Sequence, residues 1–155
     1  MTDSALSTVV FREATRADLP AIVALLADDV LGRGREHTSV DDAYERAFAT
    51  IDADPRNVLV VGDDAGEVVA CVQLTFIPGL GRHGAERCLV EAVRVRSDRR
   101  GGGVGAALMA WVIDLARERG CALVQLTTDK TRVDAHRFYR RLGFVASHEG
   151  MKLAL

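Results

Sequence analysis

Lysine is nearly absent from this sequence: it stands only at positions 130 and 152, and the other basic side chains are arginine. That bias reads as genome base composition rather than chemistry. There is no cationic excess either, since 20 Lys and Arg against 22 Asp and Glu leave a net charge of -2. The basic footprint of most nucleic-acid binders is missing, so no nucleic-acid partner is expected. No apolar run approaches the roughly 18 residues of a membrane span. The opening MTDSALSTVVFREATR lacks the basic and apolar regions of an export leader, and a cytoplasmic protein is expected. Cysteine is scarce, odd in number and dispersed: Cys71, Cys88 and Cys121 form no CxxC pair. Neither a disulfide framework nor a metal site is indicated. All three are expected as buried small hydrophobes in strands.

What is present is ordinary globular composition, 48% hydrophobic and 27% charged. A length of 155 residues suits one domain over 1–155. Thr8–Ala14 is rich in β-branched residues and reads as a strand. Thr15 or Asp18 then caps a helix with Pro20 in its first turn and Leu19, Ile22, Val23, Leu26 and Val30 at helical spacing; Gly32 and Gly34 end it. A second helix follows Ser39 and runs to about Ala53, with Ala43, Ala47, Phe48 and Ile51 inward. Val58–Val61 and Val68–Phe76 form a hairpin around the turn Asp63–Gly66. The loop Pro78–Gly84 leads to a strand over Cys88–Val95. Val104–Arg119 is an amphipathic helix with Val104, Leu108, Trp111, Val112 and Leu115 on one face, stopped by Gly120. Cys121–Thr127 reads as a strand covered on both faces. Asp134–Leu142 is a short helix closed by Gly143, and 144–155 supplies one or two last strands. The sum is an α/β (α+β) fold: a mixed, mostly antiparallel sheet of about six or seven strands with about four helices on its two faces. The strand–helix–strand unit over 88–127 predicts a right-handed parallel crossover.

The most informative segment is Arg99-Arg100-Gly101-Gly102-Gly103-Val104-Gly105, between a strand and a helix. Such a turn leaves backbone N–H groups pointing outward at the positive end of a helix dipole, and Arg99 and Arg100 add full charge beside it. That pattern makes a phosphate cradle. A nucleotide-triphosphate loop of the Walker type would need Lys-Ser/Thr, but Ala106 and Ala107 follow Gly105. A dinucleotide fingerprint can be laid on Gly101, Gly103 and Ala106 with Asp129 as its acid, yet only a short remainder follows Asp129. An ordinary glycine-rich turn with solvated arginines is the bland reading.

The third specific reading is RxxGxG on Arg100, Gly103 and Gly105, which resembles the acyl-CoA loop of the GCN5-related N-acetyltransferase (GNAT) family. The resemblance extends to the flanks. Val90-Glu91-Ala92-Val93-Arg94-Val95 looks like that family's fourth strand. His136-Arg137-Phe138-Tyr139-Arg140-Arg141-Leu142-Gly143-Phe144 looks like its FYxxLGF segment. The resemblance implies the GNAT fold and an enzyme that moves an acetyl group from acetyl-CoA to a primary amine of a small molecule or an exposed protein amine, with no metal. It implies that Arg100, Gly101, Gly102, Gly103, Val104, Gly105 and Ala106 hold the CoA pyrophosphate. Backbone of Val93 and Val95 would pair with the pantetheine arm like an added strand. Asp134 and His136 would touch the same arm, unless they serve as helix cap and surface. A non-catalytic acyl-CoA-sensing domain on the same fold is the alternative.

Amine acetylation needs a base, donors for the oxyanion and an acid for the departing thiolate. Strict alternation puts Glu91 with Leu89, Val93 and Val95 on an apolar row, where a carboxylate sits at a cavity rim or is partly desolvated. The resemblance makes Glu91 the base. The competing reading pairs Glu91 with Arg94 or Arg96 after a bulge re-aims the strand. Tyr139 lies at the edge of the packed stripe Ala135, Phe138 and Leu142, where its ring can be buried with the hydroxyl available. The resemblance makes it the acid. Backbone N–H groups of the fourth strand would be the oxyanion donors. The acceptor would be chosen by 31–42 and the loop 78–86, where Arg33, Arg35, Glu36, His37 and His83 give mixed charge that names no substrate. Homodimers are frequent in the family, and the expected last strand offers an edge for pairing across a two-fold.

Overall fold

The computed structural model describes residues 8–29, 34 and 36–155. Val30, Gly32, Arg33 and Arg35, named above, lie outside the described residues. The chain divides into two compact units, Met1–Gln125 and Leu126–Leu155.

The strands β1 (Val9–Glu13), β2 (Asn57–Asp64), β3 (Glu67–Ile77), β4 (Arg87–Val95) and β5 (Leu123–Leu126) form a five-stranded sheet in chain order. The pairs β1–β2, β2–β3 and β3–β4 are antiparallel, and β5 takes its place beside β4 after a helical crossover, making the sheet mixed. The β2–β3 hairpin turns on Ala65 (φ 52°) and Gly66 (φ 92°). Two left-handed residues match the twist of the flanking strands. Asp63 Oδ1 accepts from the Gly66 amide at 2.7 Å and holds the turn. The three strands β1–β3 press together at Gly62, where a Cβ would meet Phe11 at 3.1 Å and Ala70 and Val9 at 3.2 Å.

Helix α1 (Leu19–Ala27) starts with Pro in its first turn, and α2 (Asp42–Ala53) starts under Asp41, whose carboxylate accepts from the Ala43 and Tyr44 amides. Both lie on one face of the sheet. Ile22 and Leu25 of α1 pack on Val61 and Cys71, while Leu19 and Val23 meet Phe48 of α2. Helix α4 (Val104–Glu118) buries Val104, Leu108, Met109, Val112 and Ala116. It packs on β4, β3 and β1, and Trp111 lies 6.4 Å from Phe11 in a tilted ring pair. Burying each large aliphatic side chain stabilises by about 1.5–3 kcal/mol. One turn, α3 (Gly81–Gly84), lies in the β3–β4 loop with left-handed Arg82 and His83.

Ahead of α1, both capping alternatives are used in sequence. The Thr15 amide and hydroxyl donate to Asp18 Oδ2 at 2.7 and 3.2 Å, closing a 3-10 turn over Arg16–Asp18, and α1 follows at once. Asp18 is the single buried charged residue among those described, and it also takes both terminal nitrogens of Arg12 at 2.8 and 2.9 Å. Arg12 reaches Asp63 as well, at 3.0 and 3.1 Å.

The second unit holds α5 (Val133–Arg141), with Ala135, His136, Phe138, Tyr139 and Leu142 half-buried and Gly143 at φ 96° ending it. The Tyr139 ring packs edge-on against Phe138 at 5.0 Å and Phe144 at 5.7 Å.

Several expectations are corrected. The described α1 stops at Ala27, and Leu25, not placed on its apolar face, is buried while Leu26 packs half-buried beside it, because the helix lies across two neighbouring clusters. On α2, Ala43 and Ala47 are exposed and Tyr44 with Phe48 turn inward, since large rings reach the sheet and methyl groups do not. Met109 and Ala116 lie deeper in α4 than Trp111 and Leu115. β5 is short and half-buried, with Gln125 outward, and Cys121 precedes it half-buried in irregular chain. The sheet has five strands rather than six or seven: 144–155 contains no strand, and the Ser147 amide folds back on the Val145 carbonyl at 3.0 Å. The strand edge expected for a two-fold is therefore absent from the described residues.

Candidate active site

Strand β4 carries the main departure from regular geometry. Opposite it, Gln73 pairs with Glu91 and Cys71 with Arg94, so Val72 alone faces the two residues Ala92 and Val93. This is a β-bulge, and Ala92 sits at φ 53° within it. The consequence for side-chain direction is concrete. Gln73 and Cys71 share one sheet face, so Glu91 and Arg94 do too, although they are three residues apart. Val95, opposite Ala70, lies on the other face. The expected row of Glu91, Val93 and Val95 is corrected: the extra residue breaks the alternation after Glu91.

Glu91 itself is exposed, on the face that α1 and α2 cover. Of the two expectations for this carboxylate, a cavity rim or partial desolvation, its exposure excludes the second. Arg94 is paired with Asp29 just beyond α1, at 3.4 Å, and not with Glu91. Arg96 takes Asp98 at 2.6 Å and Glu67 at 3.3 Å.

Beyond β4 the chain makes a 3-10 turn over Ser97–Arg99 and then the glycine run. Gly101 has φ 77° and Gly103 φ 88°, left-handed values that glycine adopts without strain. Gly103 is the N-cap of α4 and offers no side chain to its first-turn amides. Gly101, Gly102 and Gly103 are exposed, and a Cβ on Gly101 would meet nothing within 4 Å. Open backbone donors at the positive end of a 15-residue helix are what a pyrophosphate fits. Val104 is buried under the loop, while Gly105 is half-buried and Ala106 exposed.

The two arginines beside this cradle each have partners. Arg99 forms an ion pair with Asp64 of β2. Arg100 donates from Nε to the Val95 carbonyl at 3.0 Å and approaches Asp28 at 3.9 Å. The Val93 carbonyl likewise accepts from Arg94 Nη1 at 2.9 Å. Both carbonyls assigned to a pantetheine arm thus carry a guanidinium donor, and each retains a second lone pair.

The structure brings Glu91, Val93, Val95, Arg100 and the glycine loop together on contiguous chain. Tyr139, Asp134 and His136 belong to the second unit. Asp134 is not a cap, since Arg132 holds that position; it is fully exposed and lies 3.8 Å from Arg137. His136 Nε2 lies 3.0 Å from the Asp129 carbonyl. Asp129 is held below the usual carboxylate range, chiefly by the Thr131 hydroxyl and amide, so it serves its own turn. His37 has a partner the sequence did not disclose: its Nδ1 meets Asp41 at 2.7 Å. Tyr44 donates to Glu36 at 2.8 Å in the same segment, where burial and Glu36 raise the phenol's pKa.

The cysteines offer no nucleophile. Burial pushes the Cys71 thiol up to about 12 and the Cys88 thiol up to about 11, and it raises Cys121 as well. Among the described residues no group of three or more His, Cys, Asp and Glu is placed to hold a metal, and no helix is long and apolar enough to cross a membrane.

The sequence model described as the acetyltransferase (GNAT) family matches residues 20–144. This chain belongs to that family. It is 31% identical over 137 residues to an aminoalkylphosphonate N-acetyltransferase of Salmonella typhimurium, covering 88% of this chain and 85% of that one. It is 33% identical over 142 residues to an L-methionine sulfoximine/L-methionine sulfone acetyltransferase of Pseudomonas paraeruginosa, covering 88% and 80%. Among solved structures, one described as a transcriptional regulator from Bacillus halodurans C-125 superposes with a TM-score of 0.93 at 50% identity, over 95% of this chain and 99% of that one. The chain is an N-acetyltransferase with the GNAT fold that its β4, glycine-loop and FYxxLGF segments imply.

Proposed function

We propose that residues 1–155 act as one catalytic domain that acetylates the primary amine of a small molecule, with acetyl-CoA as donor. The observation that carries this is the uncapped glycine turn at the head of α4, directly after the bulged strand that bears Glu91. When bound, acetyl-CoA supplies the thioester and the thiolate leaving group. The chain's own contributions follow from its residues. Backbone groups of Gly101, Gly102, Gly103, Val104, Gly105 and Ala106, with Arg100 beside them, hold the pyrophosphate. Backbone of Val93 and Val95 aligns the arm. Glu91, exposed to solvent, takes the ammonium proton through water. N–H groups at the bulge stabilise the oxyanion. The Tyr139 hydroxyl gives a proton to sulfur, and Asp134 and His136 of α5 touch the pantetheine arm.

The acceptor class is supported by the relatives. Both act on compact amines that also carry an acid or sulfur–oxygen group, according to their names. The test is thiol release from acetyl-CoA with 2-aminoethylphosphonate, methionine sulfone, spermidine and a lysine-containing peptide. Faster release with either of the first two supports the reading. Release with the peptide alone would replace the small-molecule acceptor. Binding of acetyl-CoA with no amine-dependent release would leave a sensing domain.

A further inference from the structure

The bulge in β4 is strained and needs an explanation. Ala92 holds a left-handed φ of 53° without being glycine. A non-glycine residue there costs of order 1 kcal/mol or more, and it persists only where surrounding contacts over-determine it. Two such contacts are present. The Ala92 carbonyl accepts from the thiol of Cys71 on β3, at 3.6 Å. The next carbonyl, Val93, accepts from Arg94 Nη1 at 2.9 Å, while Arg94 Nη2 meets Asp29 at 3.4 Å. The Arg94 and Asp29 side chains retain only 11% and 12% of their exposure.

The ion pair depends on the bulge. Removing the extra residue would shift the register by one and send Arg94 to the opposite sheet face. That face carries the Val90 and Leu74 side chains under α4, where a guanidinium would have no carboxylate partner. With the bulge in place, Arg94 emerges on the α1 face, beside Asp29, and on the same side as Glu91. The pair therefore favours the bulged register in two ways: its contact forms only there, and its charge is penalised elsewhere.

We infer that Arg94 and Asp29 are positioning residues for acetyl transfer: together they lock the β4 bulge and so set the direction of Glu91 and of the backbone groups at 92–93. This inference rests on the assignment of β4 as the reacting strand.

The test is a double-mutant cycle of Arg94→Met, Asp29→Asn and the pair, using whichever amine of the panel above the wild type turns over fastest. Each single variant is expected to lower kcat at least tenfold while acetyl-CoA affinity stays within about threefold. The double variant is expected to be no worse than the poorer single variant, because both residues serve one lock. Amide exchange followed by mass spectrometry should rise in the peptide spanning 88–95 and stay unchanged in the one spanning 57–64. Folded variants with wild-type kcat and unchanged exchange in 88–95 overturn the inference, as do losses that add in the double variant. If Arg94→Met does not fold, the near-isosteric Asp29→Asn decides on the same readouts. A wild type that turns over no amine removes the functional reading instead, and the exchange data then decide the lock alone.

Discussion

Arg12 meets Asp18 fork to fork, its two terminal nitrogens on the two carboxylate oxygens at 2.8 and 2.9 Å. That contact ties β1 to the turn that launches α1. It holds the Asp18 carboxyl down at about 2, with burial opposing and the Thr15 amide helping. A carboxyl depressed below its unfolded value near 3.8 contributes stability above that pH, and the contribution is lost as pH falls toward 2. The size is about 1–2 kcal/mol. Asp18→Asn should lower Tm by several degrees at pH 7 and narrow the gap to wild type as pH drops from 4.5 to 2.5. A constant gap across that range would show that the pair does not report on folding.

The glycine turn makes a separate prediction. Gly103→Val places a β-branched residue at φ 88°, a strain of about 1–2 kcal/mol, and crowds the backbone donors of α4. Acetyl-CoA should raise the Tm of wild type by several degrees at saturating concentration and should leave this variant unmoved. An equal shift in both proteins would detach the loop from the donor.

For Tyr139, the ring and the hydroxyl can be separated. The ring packs between Phe138 and Phe144, and Phe in its place keeps those contacts. Tyr139→Phe should therefore retain acetyl-CoA affinity and lose at least tenfold in kcat. Unchanged turnover across the pH range would remove the phenol from the reaction.

Glu91→Gln should lower kcat by one to three orders of magnitude without unfolding the chain, since the side chain is exposed. Thiol release from the folded variant at the wild-type rate would remove this carboxylate from the reaction.

Thiol labelling checks the burial pattern. Cys71 and Cys88 are fully buried with raised pKa values, while Cys121 is half-buried. A bulky disulfide reagent at pH 8 should label Cys121 first in the native chain and all three only after denaturation. Rapid native labelling of Cys71 would mean that β3 opens locally.

Much of this architecture was legible in the residues. Apolar periodicity places α1, α2 and α4, and the β-branched runs place β1 to β4, because each element buries one repeating face. Asp63–Gly66 announces its hairpin, and the glycine run announces its helix head. A bulge was readable only as the competing account of Glu91, and its position was not, since Ala92 carries none of the glycine signal that a left-handed residue ordinarily gives. One signal was available: Glu91 and Arg94 are both charged amid the apolar run Cys88–Val95, and a spacing of three cannot share a face at a period of two. The absence of strands in 144–155 was not readable, because alternation there says nothing about whether a neighbouring edge accepts a partner. The Asp29 pairing joins the end of α1 to β4 and the His37 pairing crosses a turn, and local pattern encodes neither geometry.

The bulge also has a genetic corollary. Point substitutions at 91 change one side chain and leave the rest of β4 where it was. Loss of a single codon at 92 would invert every later position of the strand: Arg94 would enter the core and Val95 would turn toward α1. Strand length at this point therefore acts on every later position at once, whereas a substitution acts at its own position alone.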